Sequence, residues 1–118
     1  MTTPQRLYIA GPMSGLPDFN HPAFHQAAAD LRAAGYIVTN PAENGLPIDS
    51  PWIDHMRRDI TLMMARANAV ALLPGWAQSR GARAEVRLAR GLGWPVMSKA
   101  EWLYAAQGAH KTRHLQTA

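Results

Sequence analysis

Four short apolar runs, at residues 7–10, 36–39, 69–73 and 95–97, alternate along the chain with segments whose apolar residues recur every three or four positions. Runs of that length bounded by Gly and Pro read as buried strands, and the intervening stripes as amphipathic helices. Phe24, Ala27, Ala28 and Leu31 mark the first helix, with Asn20 or His21 as its cap, Pro22 in its first turn and Gly35 as its stop. Ile53, Met56, Ile60, Met63 and Ala67 form the buried stripe of the second, for which Ser50 is the expected cap and Pro51 the first residue. Ala82, Val86, Ala89 and Leu92 mark the third, opened by Ser79 or Gly81 and ended by Gly93. Ser98, Lys99, Ala100 and Glu101 read as a capping box for a last helix closed by Gly108. Strands alternating with helices imply an α/β domain with a parallel sheet covered on both faces, with strand order 2-1-3-4. One domain is expected over residues 1–108, followed by a basic tail at 109–118 that lacks hydrophobic periodicity and is expected to be flexible.

Composition narrows the function classes. The chain has 118 residues and no cysteine, which excludes disulfides, thiolate metal sites and Cys nucleophiles. The first residues carry no basic-then-apolar signal pattern, and no apolar run approaches the ~20 residues of a membrane span. A cytoplasmic protein with no membrane partner is the expectation. Twelve Lys and Arg against eight Asp and Glu give a net charge of +4, compatible with a small anionic ligand. No interleaved basic and aromatic stripe of the kind that tracks nucleic acid is present. His21 and His25 lie four apart, as zinc ligands can, but no third ligand has a matching spacing. No metal and no cofactor are expected. Met56, Met63 and Met64 read as core filling.

Parallel sheets bind ligands outside the carboxyl ends of their strands, where the strand order reverses. For order 2-1-3-4 that point falls between strands 1 and 3. The two loops that meet there, residues 11–15 and 74–81, are also the richest in Gly and Ser. The first matches neither G-x-G-x-x-G nor a P-loop, yet its backbone N–H groups and the Ser14 hydroxyl suit an anion. In the second, Trp76 either stacks on a planar base or lids the core, Ser79 either binds an anion or only caps the helix, and Arg80 meets either phosphate or solvent. Glu85 lies three residues after Ala82 and four before Ala89, on the face expected to be buried. A carboxylate there is a candidate acid, base or nucleophile, unless it pairs with Arg83, Arg87 or Arg90. Asp59, at the border of the second helix's stripe, has Arg58 and Arg66 as plausible partners.

Tyr8-Ile-Ala-Gly-Pro-Met-Ser-Gly15, Arg57-Arg-Asp59, Leu73-Pro-Gly-Trp76 and Ser79-Arg-Gly-Ala82 with Glu85 three residues on form an ordered set. It resembles the nucleoside 2-deoxyribosyltransferase-like superfamily, and within it the DUF4406 branch, over residues 6 to 98. The resemblance implies a flavodoxin-like or Rossmann-like three-layer sandwich with four or five strands. It implies cleavage or exchange of the N-glycosidic bond of a nucleoside or nucleoside 5′-monophosphate. Glu85 matches the family's nucleophile and Asp59 its second acid. Gly11, Ser14, Gly15 and Ser79 match positions that hold sugar or phosphate. With the two loops, the substrate-binding set is Tyr8, Gly11, Met13, Ser14, Gly15, Trp76, Ser79, Arg80 and Gly81. A homodimer or higher homo-oligomer is implied, and a non-catalytic nucleotide-binding module is the alternative.

Overall fold

A computed structural model describes residues 5–117, with side chains over 5–108. Four strands, β1 (Arg6–Ala10), β2 (Ile37–Thr39), β3 (Ala69–Leu72) and β4 (Val96–Ser98), pair in parallel in the order β2-β1-β3-β4. Four α-helices connect and follow them: α1 (His21–Ala33), α2 (Trp52–Arg66), α3 (Arg80–Gly91) and α4 (Lys99–Thr117). The result is the parallel α/β sheet expected from the alternation, in the three-layer, flavodoxin-like arrangement that the resemblance implies.

Period-two alternation in β1 divides the core. Leu7 and Ile9 point to one face, where they pack with Phe24, Leu31, Ala71 and Trp102 beneath α1 and α4. Tyr8 and Ala10 point to the other, where they pack with Met63, Val70, Val86 and Ala89 beneath α2 and α3. Each large apolar side chain removed from water contributes about 1.5–3 kcal/mol. Both faces of the sheet are therefore needed to hold so short a chain together.

Helix ends follow local chemistry. Gly35 and Gly93 adopt left-handed backbone at φ 103° and 75°. They let Tyr36 N–H reach Leu31 O and Trp94 N–H reach Ala89 O, which closes α1 and α3. The Ser79 hydroxyl accepts from Ala82 N–H at 3.2 Å, and Ser98 and Glu101 exchange reciprocal bonds at the start of α4.

Several expectations need correction. Asn20 is the N-cap residue of α1, but its side chain makes no capping bond, and its amide donates to Pro12 O at 2.9 Å. Pro51 has ψ 144° and stands outside α2 as its N-cap, so Ser50 is one residue too early. The buried stripe of α2 runs through Met56, Asp59 and Met63, which leaves Ile53 and Met64 exposed. Leu92 is exposed as well. Gly108 does not end α4, which continues to Thr117: a helical glycine costs only about 1 kcal/mol against Ala, and no proline follows. Side chains of the basic tail, 109–118, lie outside the described residues.

Among the described residues no helix is long and apolar enough to cross a membrane.

Candidate active site

Beyond the carboxyl ends of β1 and β3 lies a cavity of about 320 Å³, at the small end of the range for small-molecule sites. Its walls come from β1 and the loop after it, the start of α1, the loop leading into α2, and the N-terminal halves of α2 and α3. Close packing sets its shape. A Cβ on Gly11 would stand 2.8 Å from Leu73 Cβ, so only glycine lets the first loop fold against the end of β3. A Cβ on Gly81 would stand 3.0 Å from Met56 Sδ, so the start of α3 packs tightly on the Met56 side chain of α2.

Glu85 reaches the cavity from the inner face of α3 and is 5% exposed. None of the flanking arginines reaches it. Its partner is Tyr8, whose hydroxyl donates to Glu85 Oε2 from the middle of the sheet. Asp59, 7% exposed, reaches the same cavity from α2. It accepts from Asn44 Nδ2 at 2.8 Å rather than from Arg58 or Arg66. Arg58 instead donates to Asn44 O at 3.4 Å. Among the described residues the ion pairs are Arg32–Glu43 and Lys99–Asp30, so both buried acids are held by neutral donors.

Neutral partners in a dry setting shift the acids upward. Burial pushes Glu85 up to about 8, against the pull of the Tyr8 hydrogen bond, and the nearby Asp59 charge adds to the rise. Burial likewise raises Asp59 to about 6, while the Asn44 hydrogen bond and the adjacent His55 and Arg58 hold it down. Burial and the two acids also raise the Tyr8 phenol well above its ordinary value, so it remains a donor. Near neutral pH the pair therefore carries one proton, mostly on Glu85.

Of the expected site residues, the cavity brings together Glu85, Asp59, Tyr8, Gly11, Met13, Ser14, Ser79 and Gly81. Gly15, Trp76 and Arg80 lie outside it. Gly15 turns the chain at φ 80°. Trp76 packs on the Tyr8–Val86 side of the core with the Arg90 guanidinium 5.7 Å over its ring, which is the lid arrangement. Arg80 stacks 4.2 Å over Trp52, whose indole lines the cavity. Met56 is a wall residue as well as core. The His21 and His25 rings meet edge-on at 5.9 Å, and His25 Nδ1 lies 3.3 Å from the Asn40 amide. Among the described residues no group of three potential ligands converges on a metal position.

Sequence reasoning passed over Asn44, His55, Trp52 and Phe19, all of which line the cavity. One signal was available for His55: it precedes Asp59 by four residues and so shares its helix face. Phe19 is placed by an uncommon backbone. Asp18, Phe19 and Asn20 are consecutive left-handed residues at φ 51°, 51° and 58°, each at a cost of roughly 1–2 kcal/mol. The Asn20–Pro12 hydrogen bond pins this turn beside the cavity.

Fold and site together define a parallel α/β protein with two buried, hydrogen-bonded acids facing one cavity at the switch point of its sheet. The chain belongs to the DUF4406 family, described as a domain of unknown function, which matches residues 5–98. No curated protein matches it.

Proposed function

We propose that the protein cleaves or exchanges the N-glycosidic bond of an uncharged nucleoside, with Glu85 as nucleophile and Asp59 as acid. The observation that carries this reading is that both buried acids open on one cavity, where burial raises each above its ordinary value. Likeness of the ordered motifs to nucleoside 2-deoxyribosyltransferase-like proteins supports it.

Departure of a base from C1′ needs an anion beneath the sugar and a proton on the base. The resting pair holds both in one charge state. In the reacting form of the pair Asp59 holds that proton and Glu85 is the carboxylate. The C1′–N bond breaks, its electron pair goes to the base, and Asp59 protonates the base as Glu85 Oε bonds to C1′. Water then attacks C1′, the C1′–O bond to Glu85 breaks, and the proton lost by water returns to Glu85. A second base with an N–H group takes the place of water in the exchange reaction, with the same balance. Tyr8 stabilises ionised Glu85 through its hydrogen bond.

Charge supports a nucleoside over its 5′-monophosphate. Among the described residues lining the cavity none is Lys or Arg, whereas Asp49 joins Asp59 and Glu85 there. A phosphate would enter beside Asp49 and the remaining negative charge of the Asp59–Glu85 pair, with no cation in the described lining to offset the repulsion.

Incubation with deoxynucleosides and their 5′-monophosphates, followed by chromatography for free base, tests the reading. Release from nucleosides and little from monophosphates is expected. No release from any of them under any pH between about 6 and about 8 overturns it. A second reading is a binding module without turnover: burial raises Glu85 toward its protonated form, which is itself a hydrogen-bond donor. Calorimetric binding of a deoxynucleoside without base release would select that reading.

A further inference from the structure

The Asn44 amide fixes the protonation pattern of its neighbours. Its Oδ1 accepts from Leu46 N–H at 3.0 Å, which orients the group and leaves Nδ2 as the donor on the other side. Nδ2 then donates to Asp59 Oδ1 at 2.8 Å and lies 3.1 Å from His55 Nδ1. Since Nδ2 has only donors to offer, His55 Nδ1 must accept, and the ring proton sits on Nε2. His55 Nε2 is buried, has no hydrogen-bond partner among the described residues, and belongs to a side chain that lines the cavity. A buried donor left unpaired costs about 1–3 kcal/mol, and such groups ordinarily find a partner.

We propose that His55 Nε2–H is a ligand-reading donor, completed by an acceptor atom of an uncharged nucleoside, with Asn44 as the positioning residue that fixes its tautomer. The ligand class rests on the proposed function above; the donor itself rests on the Asn44 geometry. His55 and Asp59 stand one helical turn apart on α2 and share the Asn44 amide. The nucleoside therefore meets an obligate donor on the same wall as the acid.

Nitrogen-detected NMR of the histidine rings in the full-length protein tests this directly. At about pH 7.5 the wild type is expected to hold His55 as the Nε2–H tautomer, and His55 as the Nδ1–H tautomer overturns the proposal. In Glu85→Gln protein, which suppresses turnover, each of the four common deoxynucleosides is added in turn. At least one is expected to move the His55 Nε2 resonance, and no movement with any of the four overturns the proposal. For a nucleoside that binds, His55→Phe in the same background is expected to weaken calorimetric affinity about tenfold. His55→Gln, which keeps an N–H donor near the Nε2 position, is expected to recover most of it, and equal losses in the two variants overturn the proposal. Base release by wild type without a His55 response overturns this inference alone. A His55 response without base release overturns the glycosidic reading alone.

Discussion

Each face of the sheet holds a tyrosine hydroxyl, fully buried in Tyr8 and half-buried in Tyr36, and the two are used differently. Beneath α1 and α4, Tyr36 donates to the backbone carbonyl of Trp102 at 2.5 Å, while its ring stacks edge-on against the Trp102 indole. That indole in turn donates to Val70 O at 2.8 Å. Both acceptors in this chain of bonds are backbone carbonyls, which neither gain nor lose a proton. Beneath α2 and α3, Tyr8 donates to Glu85, and Asn44 donates to Asp59. Here the acceptors titrate, and burial moves both toward neutral pH. The same device, a tyrosine hydroxyl with one acceptor, serves packing on one face and meets a titrating acid on the other. Buried acids held only by neutral donors lower stability when ionised, and perturbed values of this kind concentrate at functional sites.

Substitutions sharpen or break that contrast. Glu85→Ala has the largest expected effect, loss of all base release from a protein that still folds, checked by chromatography and circular dichroism. On the opposite face, Trp102→Ala is expected to cost about 3–5 kcal/mol in urea unfolding and to leave turnover per folded molecule unchanged. A matching loss of turnover would mean that the faces are not separable.

Asp59→Asn is expected to slow base release about a hundredfold, because the pair loses its acid. The pH dependence of stability comes next. Glu85 rises from an ordinary 4.5 to about 8 on folding, so the folded state binds the proton more tightly. Stability is therefore full below about pH 4.5 and falls as pH climbs through about 8. Glu85→Gln removes that dependence. It is expected to gain on the wild type by on the order of 4 kcal/mol by about pH 9 and to show little advantage near pH 5, read from thermal melts.

The smallest effect distinguishes the tyrosines. Tyr8→Phe removes a bond that lowers Glu85 and is expected to move the alkaline limb of the rate profile upward. Tyr36→Phe is expected to leave that limb in place and to cost about 1 kcal/mol of stability.

Strand order, the two carboxyl-end loops and the inward aim of Glu85 were legible because periodicity reports directly on burial. Gly35 and Gly93 announced their helix ends for the same local reason. Asp59 was half legible. Apolar counting put Ile60 in the buried stripe of α2, but Ile60 is half-buried and Met56, Asp59 and Met63 are the buried residues, with the Asn44 hydrogen bond making burial of Asp59 tolerable. Asn44, Phe19 and Trp52 were hidden because their places depend on contacts across loops. Asn44 is joined to Asp59 across 15 positions, and Phe19 depends on a left-handed turn that no local composition announces. Trp76 and Arg80 went the other way: suitable chemistry near the site, but partners in Arg90 and Trp52 that take both out of the cavity lining.

The claim on which the rest depends is that the one-proton carboxylate pair does glycosidic chemistry. Release of free base from deoxynucleosides, followed at about pH 7 for the wild type and for Glu85→Gln of equal folded concentration, tests it most directly. The expected result is release by the wild type and none by the variant. Equal release by both, or none by the wild type, would contradict it.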